Sequence, residues 1–348
     1  MKLSGRIAGR AIATCGLAAA IAVAGHALAD DAKELNIYSS RHYQTDEALY
    51  NGFTEQTGIK INRIEDDADK LMARMQAEGA ASPADVFITV DAGRIWRAEE
   101  AGLLQPVESA VLNERIPAAL RDPNGQWYGF SRRARVIYYD KDRVDPELFQ
   151  TYEDLARPEA KGLVCIRSSS NMYQLSLMAS MIERHGPEKA KEWAEKVVAN
   201  MARPPTGNDT AQIKSIASGE CGLSLGNTYY YVRLLNSDDP ADKAVTERVG
   251  VIFPNQDGRG THVNISAAGV AANAPHKEAA VKFLEYLSSP EAQGYFARGN
   301  NEYTADGGTA GNEALASIGT FKADDLNVRV LGERQSEAQM TYDEAGWK

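Results

Sequence analysis

Leu35-Asn36-Ile37-Tyr38, then Asp46 to Phe53, Ile59 to Ile64, the stripe Leu71, Met72 and Met75, and Asp85-Val86-Phe87-Ile88-Thr89-Val90 form the stretch that decides the fold. The first piece reads as a short strand. Leu49 and Phe53 share one face of a helix that stops at Gly58. Ile59 to Ile64 is the next strand, the Leu71 stripe a second helix, and the β-branched run ending at Val90 has no internal Gly or Pro. Strands alternating with short helices predict βαβ units, hence an α/β fold with largely parallel strands.

Working outward, the same alternation continues. Val136-Ile137-Tyr138-Tyr139 and Leu163-Val164-Cys165-Ile166 read as strands, followed by a helix with Leu175, Met178 and Ile182 on its apolar face. Thr210 to Ala217 reads as a helix, Cys221 to Leu225 and Val249 to Phe253 as strands. A late helix runs from Pro275, at a favourable first-turn position, through Phe283, Leu284 and Leu287. Open α/β sheets bind ligands beyond the carboxyl ends of their strands. Three tyrosine-bearing segments follow strands in this way: Ser39 to Tyr43, Arg167 to Tyr173, and Gly226-Asn227-Thr228-Tyr229-Tyr230.

Lys2, Arg6 and Arg10 precede an alanine-rich apolar run from Ala11 to Ala24, and Ala27-Leu28-Ala29 fits a small-x-small cleavage site. Residues 1–29 are therefore expected to be a secretory signal rather than a membrane anchor. Cys15 lies at the start of the apolar run, not after it, which argues against a lipoprotein. The whole chain has 38 Lys+Arg and 48 Asp+Glu; without the three signal cations the balance is 35 against 48, a net charge of −13. That charge disfavours nucleic acid and anionic membrane as partners. The length beyond the signal exceeds the usual limit for one core, so two lobes are expected. Cys165 and Cys221 would remain, either as a disulfide or as two buried thiols; a shared sheet holding both segments would favour the bond.

The tyrosines are the candidates for chemistry, set against the plainer reading of Tyr229 to Tyr231 as an aromatic cluster packed into the core or an interface. Fe³⁺ is small and hard and prefers anionic oxygen donors such as phenolate. A tyrosine's ordinary pKa is near 10, so the metal must displace its proton, and affinity must fall in acid. Asn227 or Thr228 fits a helix N-cap, which would put Tyr229 and Tyr230 in a first turn where the macrodipole favours an anion. Tyr231, with Leu234 and Leu235, continues an apolar stripe and is expected to pack. Four phenolates around Fe³⁺ leave one negative charge, which Arg133, and with less reason Arg135, could offset.

Tyr38-Ser39-Ser40-Arg41-His42-Tyr43, Ser82-Pro83-Ala84-Asp85-Val86, Arg133-Ala134-Arg135-Val136, Lys161-Gly162 with Ile166-Arg167-Ser168, Gly226-Asn227-Thr228-Tyr229-Tyr230 and Ala280-Val281-Lys282-Phe283-Leu284, in this order, resemble the periplasmic ferric-iron-binding proteins of ABC importers. The likeness is greatest to the anion-independent branch that includes cyanobacterial iron-uptake proteins, where tyrosines supply most or all ligands. The resemblance implies a two-lobed periplasmic binding protein of class II type with two strand crossovers as hinge, near Ser131 and Gly260. An N-terminal lobe would hold residues 30–131 plus 261–304, a C-terminal lobe residues 132–260 plus 305–348. Tyr43 would come from the first lobe and Tyr173, Tyr229 and Tyr230 from the second, with His42 as a further ligand in some members and Arg133 as charge partner. The implied partner is an importer's membrane subunits, met by a periplasmic monomer that does no catalysis.

Two rival readings come from the residues. Gly222-Leu223-Ser224-Leu225-Gly226 matches G-x-S-x-G, with His262 and His276 downstream, but Ser224 falls inside a predicted strand rather than on a turn. The same fold could instead bind a small anion, through Arg133, Arg135 and Arg167, or a polyamine.

Overall fold

The computed structural model describes residues 33–41 and 43–348, so the expected export signal and Cys15 lie outside the described residues. Nine strands occur among the described residues: β1 (Glu34–Ser39), β2 (Lys60–Glu65), β3 (Val86–Val90), β4 (Leu104–Gln105), β5 (Tyr128–Asp140), β6 (Leu223–Asn227), β7 (Val249–Ile252), β8 (Val263–Ala271) and β9 (Tyr303–Thr304). The main sheet order is β2-β1-β3-β8-β5-β6.

The βαβ reading of residues 35–90 corresponds to β1, the helix Asp46–Thr57, β2, the helix Ala68–Glu78 and β3. Leu49 and Phe53 are buried on the first helix, which ends where Gly58 takes φ 71, a left-handed turn that glycine adopts without penalty. β1 pairs in parallel with β2 and β3, and every later ladder is antiparallel. The expectation of largely parallel strands is thus corrected. Apolar periodicity marks a strand but not its direction, and here β8 returns beside β3 while β5 runs against β8.

β5 is the organising element. Its Tyr128–Ala134 half pairs with β8, and its Arg135–Asp140 half pairs with β6 and β7. Thirteen residues of one strand therefore serve two sheet regions, giving an α/β protein of two lobes. Side chains alternate along it: Ala134, Val136 and Tyr138 enter one core with Ile213, Ile216, Tyr231 and Val232, while Ile137 faces the other.

Two further expectations are corrected. Leu163 to Ile166 is no regular strand, because turns at Gly162 and Ser168 bound it, and Val164 makes one isolated bridge to Met201 and one to Leu223. The late helix begins at Lys277, not Pro275, because Asp85 accepts bonds from His276 N at 2.7 Å and holds its Nδ1 at 3.0 Å, keeping that residue outside the helix. No helix of the described residues is long and apolar enough to cross a membrane.

Candidate functional site

Tyr43 follows β1, at a turn where Asp46 N donates to its carbonyl at 3.0 Å. Arg41, buried and held by Asp46 at 2.8 Å, stacks over the Tyr43 ring with its Cζ 4.9 Å from the centroid. Tyr173 is the second residue of the helix Met172–His185, whose cap Asn171 accepts from Tyr173 N at 3.1 Å. Tyr229 and Tyr230 occupy the first turn of the helix Thr228–Leu235, directly after β6. The Tyr173 and Tyr229 hydroxyl oxygens stand 3.4 Å apart, and the Tyr229 and Tyr230 ring centroids 4.1 Å. Two oxygens each about 2.0–2.2 Å from one metal ion are separated by roughly 2.8–3.6 Å between octahedral and tetrahedral angles, so this pair has the spacing of neighbouring ligands.

The electrostatics show that the tyrosines form one group. Burial pushes up the phenols of Tyr43 and Tyr173, and Tyr229, only 2 % exposed, is pushed well above the ordinary value. Arg133 pulls all three back, while Tyr173 and Tyr229 are each raised further by tyrosine neighbours, including Tyr230. Reciprocally, burial works to lower the Arg133 pKa, but Glu302 and the phenols of Tyr43, Tyr173 and Tyr229 outweigh it and hold it well above the usual value.

Arg133 rises from β5 with its Cζ 5.6 Å from the Tyr229 ring centroid. Glu302 pairs with it at 3.0 Å and Ser266 accepts from its Nη2 at 2.6 Å; both arginine and glutamate are buried. Its Nη1 has no hydrogen-bond partner among the described residues. Arg135 does different work. Its guanidinium reaches Asp209 at 3.3 Å, Asn227 Oδ1 at 3.0 Å and Gln174, tying the residue after Tyr173 to the junction before Tyr229. Asn227 therefore stands at the N-cap position without capping, because its side-chain oxygen is taken by Arg135. Gly226 makes this junction possible: a Cβ there would lie 2.5 Å from the Tyr138 ring, whose hydroxyl donates to Asn227 O at 2.7 Å.

Tyr231 packs, 5.9 Å from the Tyr138 ring, and donates to Thr246 O and Val249 O. Cys165 and Cys221 are bonded, with Cα atoms 5.8 Å apart, beside the Val164–Leu223 bridge. The bond fastens the segment leading to Tyr173 to the one leading into β6 and Tyr229. His42 lies outside the described residues.

Arg233 was not anticipated from the sequence. Its Cζ lies 5.5, 5.3 and 5.9 Å from the ring centroids of Tyr43, Tyr229 and Tyr230, and the side chain is exposed. The readable signal was its spacing, four residues after Tyr229 and three after Tyr230, which makes Arg233 a neighbour of each on the helix surface. Glu302 was missed too, since only the fold brings it to β5.

The hydrolase reading is corrected. Ser224 is fully buried inside β6, opposite Tyr138, and its hydroxyl donates to Leu225 O at 3.4 Å. A nucleophile must stand exposed on a strand-to-helix turn. Here that turn carries Asn227 and Thr228 instead.

Residues 48–323 match the model of the bacterial extracellular solute-binding proteins. Iron uptake protein A1 of Synechocystis is 54 % identical, over 91 % of this chain and 88 % of that protein. A Trichodesmium protein (IdiA, FutA), solved in complex with iron and citrate ligands, superposes with a TM-score of 0.88 at 56 % identity, covering 90 % of this chain and all of that one. Ferric iron-binding protein A of Mannheimia haemolytica, solved in an open conformation, superposes with a TM-score of 0.84 at 43 % identity, covering 91 % of this chain and 99 % of that one.

Proposed function

The chain belongs to the bacterial extracellular solute-binding protein family, and from that premise we propose that it captures ferric iron in the periplasm through Tyr43, Tyr173, Tyr229 and Tyr230 and delivers it to an ABC importer. The observation that carries this reading is the convergence of tyrosines from three distant segments, with the Tyr173 and Tyr229 oxygens 3.4 Å apart and one buried arginine acting on three of the phenols. Core packing calls for no such meeting of hydroxyls. A hard trivalent cation does.

The lobes are residues 30–131 plus 261–304 and residues 132–260 plus 305–348, the first bringing Tyr43 to the other three. Residues 1–29 direct export. The charges support the assignment: four phenolates and Fe³⁺ leave one negative charge, Arg133 is largely neutralised by Glu302, and Arg233 supplies the balancing cation. An anion as cargo is disfavoured, because Arg135 and Arg167 share Asp209 and Arg133 already holds Glu302. A polyamine is disfavoured because the carboxylates at the site, Glu302 and Asp209, are already paired with arginines instead of standing ready for ammonium groups.

Titration of the purified protein with a ferric chelate tests the reading. Phenolate-to-iron charge transfer should produce a visible band, lost in the Tyr229→Phe/Tyr230→Phe double variant. A colourless iron-saturated protein would refute tyrosine ligation.

A further inference from the structure

Asp91 follows β3 and caps the helix Ala92–Glu100 with φ 83 and ψ 127, a positive-φ backbone that side chains rarely adopt. Its carboxylate is completely buried and is held by neutral donors from three parts of the chain. Gly93 N donates to Oδ1 at 2.8 Å, while Asn264 Nδ2 and Ser176 Oγ donate to Oδ2 at 2.6 and 2.9 Å. Asn264 lies in β8 opposite Arg133. Ser176 lies one turn beyond Tyr173 on the same helix.

We propose that Asp91 is a latch: the hydrogen bond it accepts from Ser176 forms as the lobes close and holds the Tyr173 helix against the first lobe, slowing iron release. The inference rests on the two-lobed capture reading, in which Asp91 and Ser176 belong to different lobes. A buried carboxylate accepting a hydroxyl makes a stronger bond than a neutral pair, and shielding from water strengthens it further. Ser176 and Tyr173 are joined by one rigid helical turn, about 4.5 Å of rise, so moving Ser176 away from Asp91 carries Tyr173 with it. The strained backbone at Asp91 aims the carboxylate away from its own strand, toward Asn264 and Ser176. Asn264, bonded to Asp91 and placed in the strand beside Arg133, ties the latch to the crossover.

The test uses the iron-loaded mature chain mixed with excess EDTA, following the loss of the visible band. Ser176→Ala should keep the band at the wild-type wavelength and release iron about tenfold faster, with X-ray scattering showing a more open loaded form; Ser176→Thr, which keeps the hydroxyl, should restore slow release. Equal release rates for wild type and Ser176→Ala would overturn the latch. So would a displaced band in Ser176→Ala, which would mean that Ser176 acts on phenolate placement instead. An uncoloured wild type would overturn the iron reading and the latch with it, whereas coloured proteins with equal rates overturn the latch alone.

Discussion

Replacing Tyr229 by Phe should reduce by one the number of protons released for each Fe³⁺ bound. The Tyr229 phenol is 2 % exposed, and burial, followed by the fields of Tyr173, Tyr43 and Tyr230, pushes it well above its ordinary pKa, with Arg133 only partly compensating. At neutral pH it is therefore un-ionised before iron arrives, and the metal must expel its proton. Each such proton makes affinity change tenfold per pH unit, about 1.4 kcal/mol. The sign is fixed: affinity falls as pH falls, because the un-ionised phenol is the form that does not bind. Four phenols give a dependence of about ten-thousandfold per pH unit, three about a thousandfold. Phe keeps the ring that packs 4.1 Å from Tyr230 and beneath Arg233, so the change isolates the hydroxyl. A pH-stat titration with one ferric chelate for both proteins cancels the chelate's own protons in the difference. A Tyr229→Phe variant that still binds iron and releases as many protons as wild type would refute ligation by Tyr229.

Arg233→Gln should weaken iron binding about tenfold in a chelator competition, since the cation beside the Tyr229 and Tyr230 rings would no longer offset the negative charge that four phenolates leave on Fe³⁺. Its urea midpoint should hardly move, as an exposed side chain contributes within about 0.5 kcal/mol. Reducing Cys165–Cys221, whose partners are 56 residues apart, should cost about 4 kcal/mol of stability on chain-entropy grounds, measured as a lower urea midpoint with dithiothreitol.

Local patterns decided a great deal. The βαβ run from residue 35 to 90, the helix stop at Gly58 and the packing role of Tyr231 were legible because each depends on neighbours within a few residues. Strand direction was not, since an apolar alternation reads the same both ways, and β5 and β8 took courses that the pattern could not specify. The sequence named the four tyrosines, and Arg133, as a candidate site. Tertiary structure alone decided that Tyr173 and Tyr229 lie 3.4 Å apart, that Arg133 meets Glu302, and that Arg135 clamps two helix starts instead of balancing charge. The reason is distance along the chain. Charge and ring contacts between residues separated by tens to hundreds of positions depend on how one strand, β5, passes from one sheet region to the other, and no local preference encodes that passage.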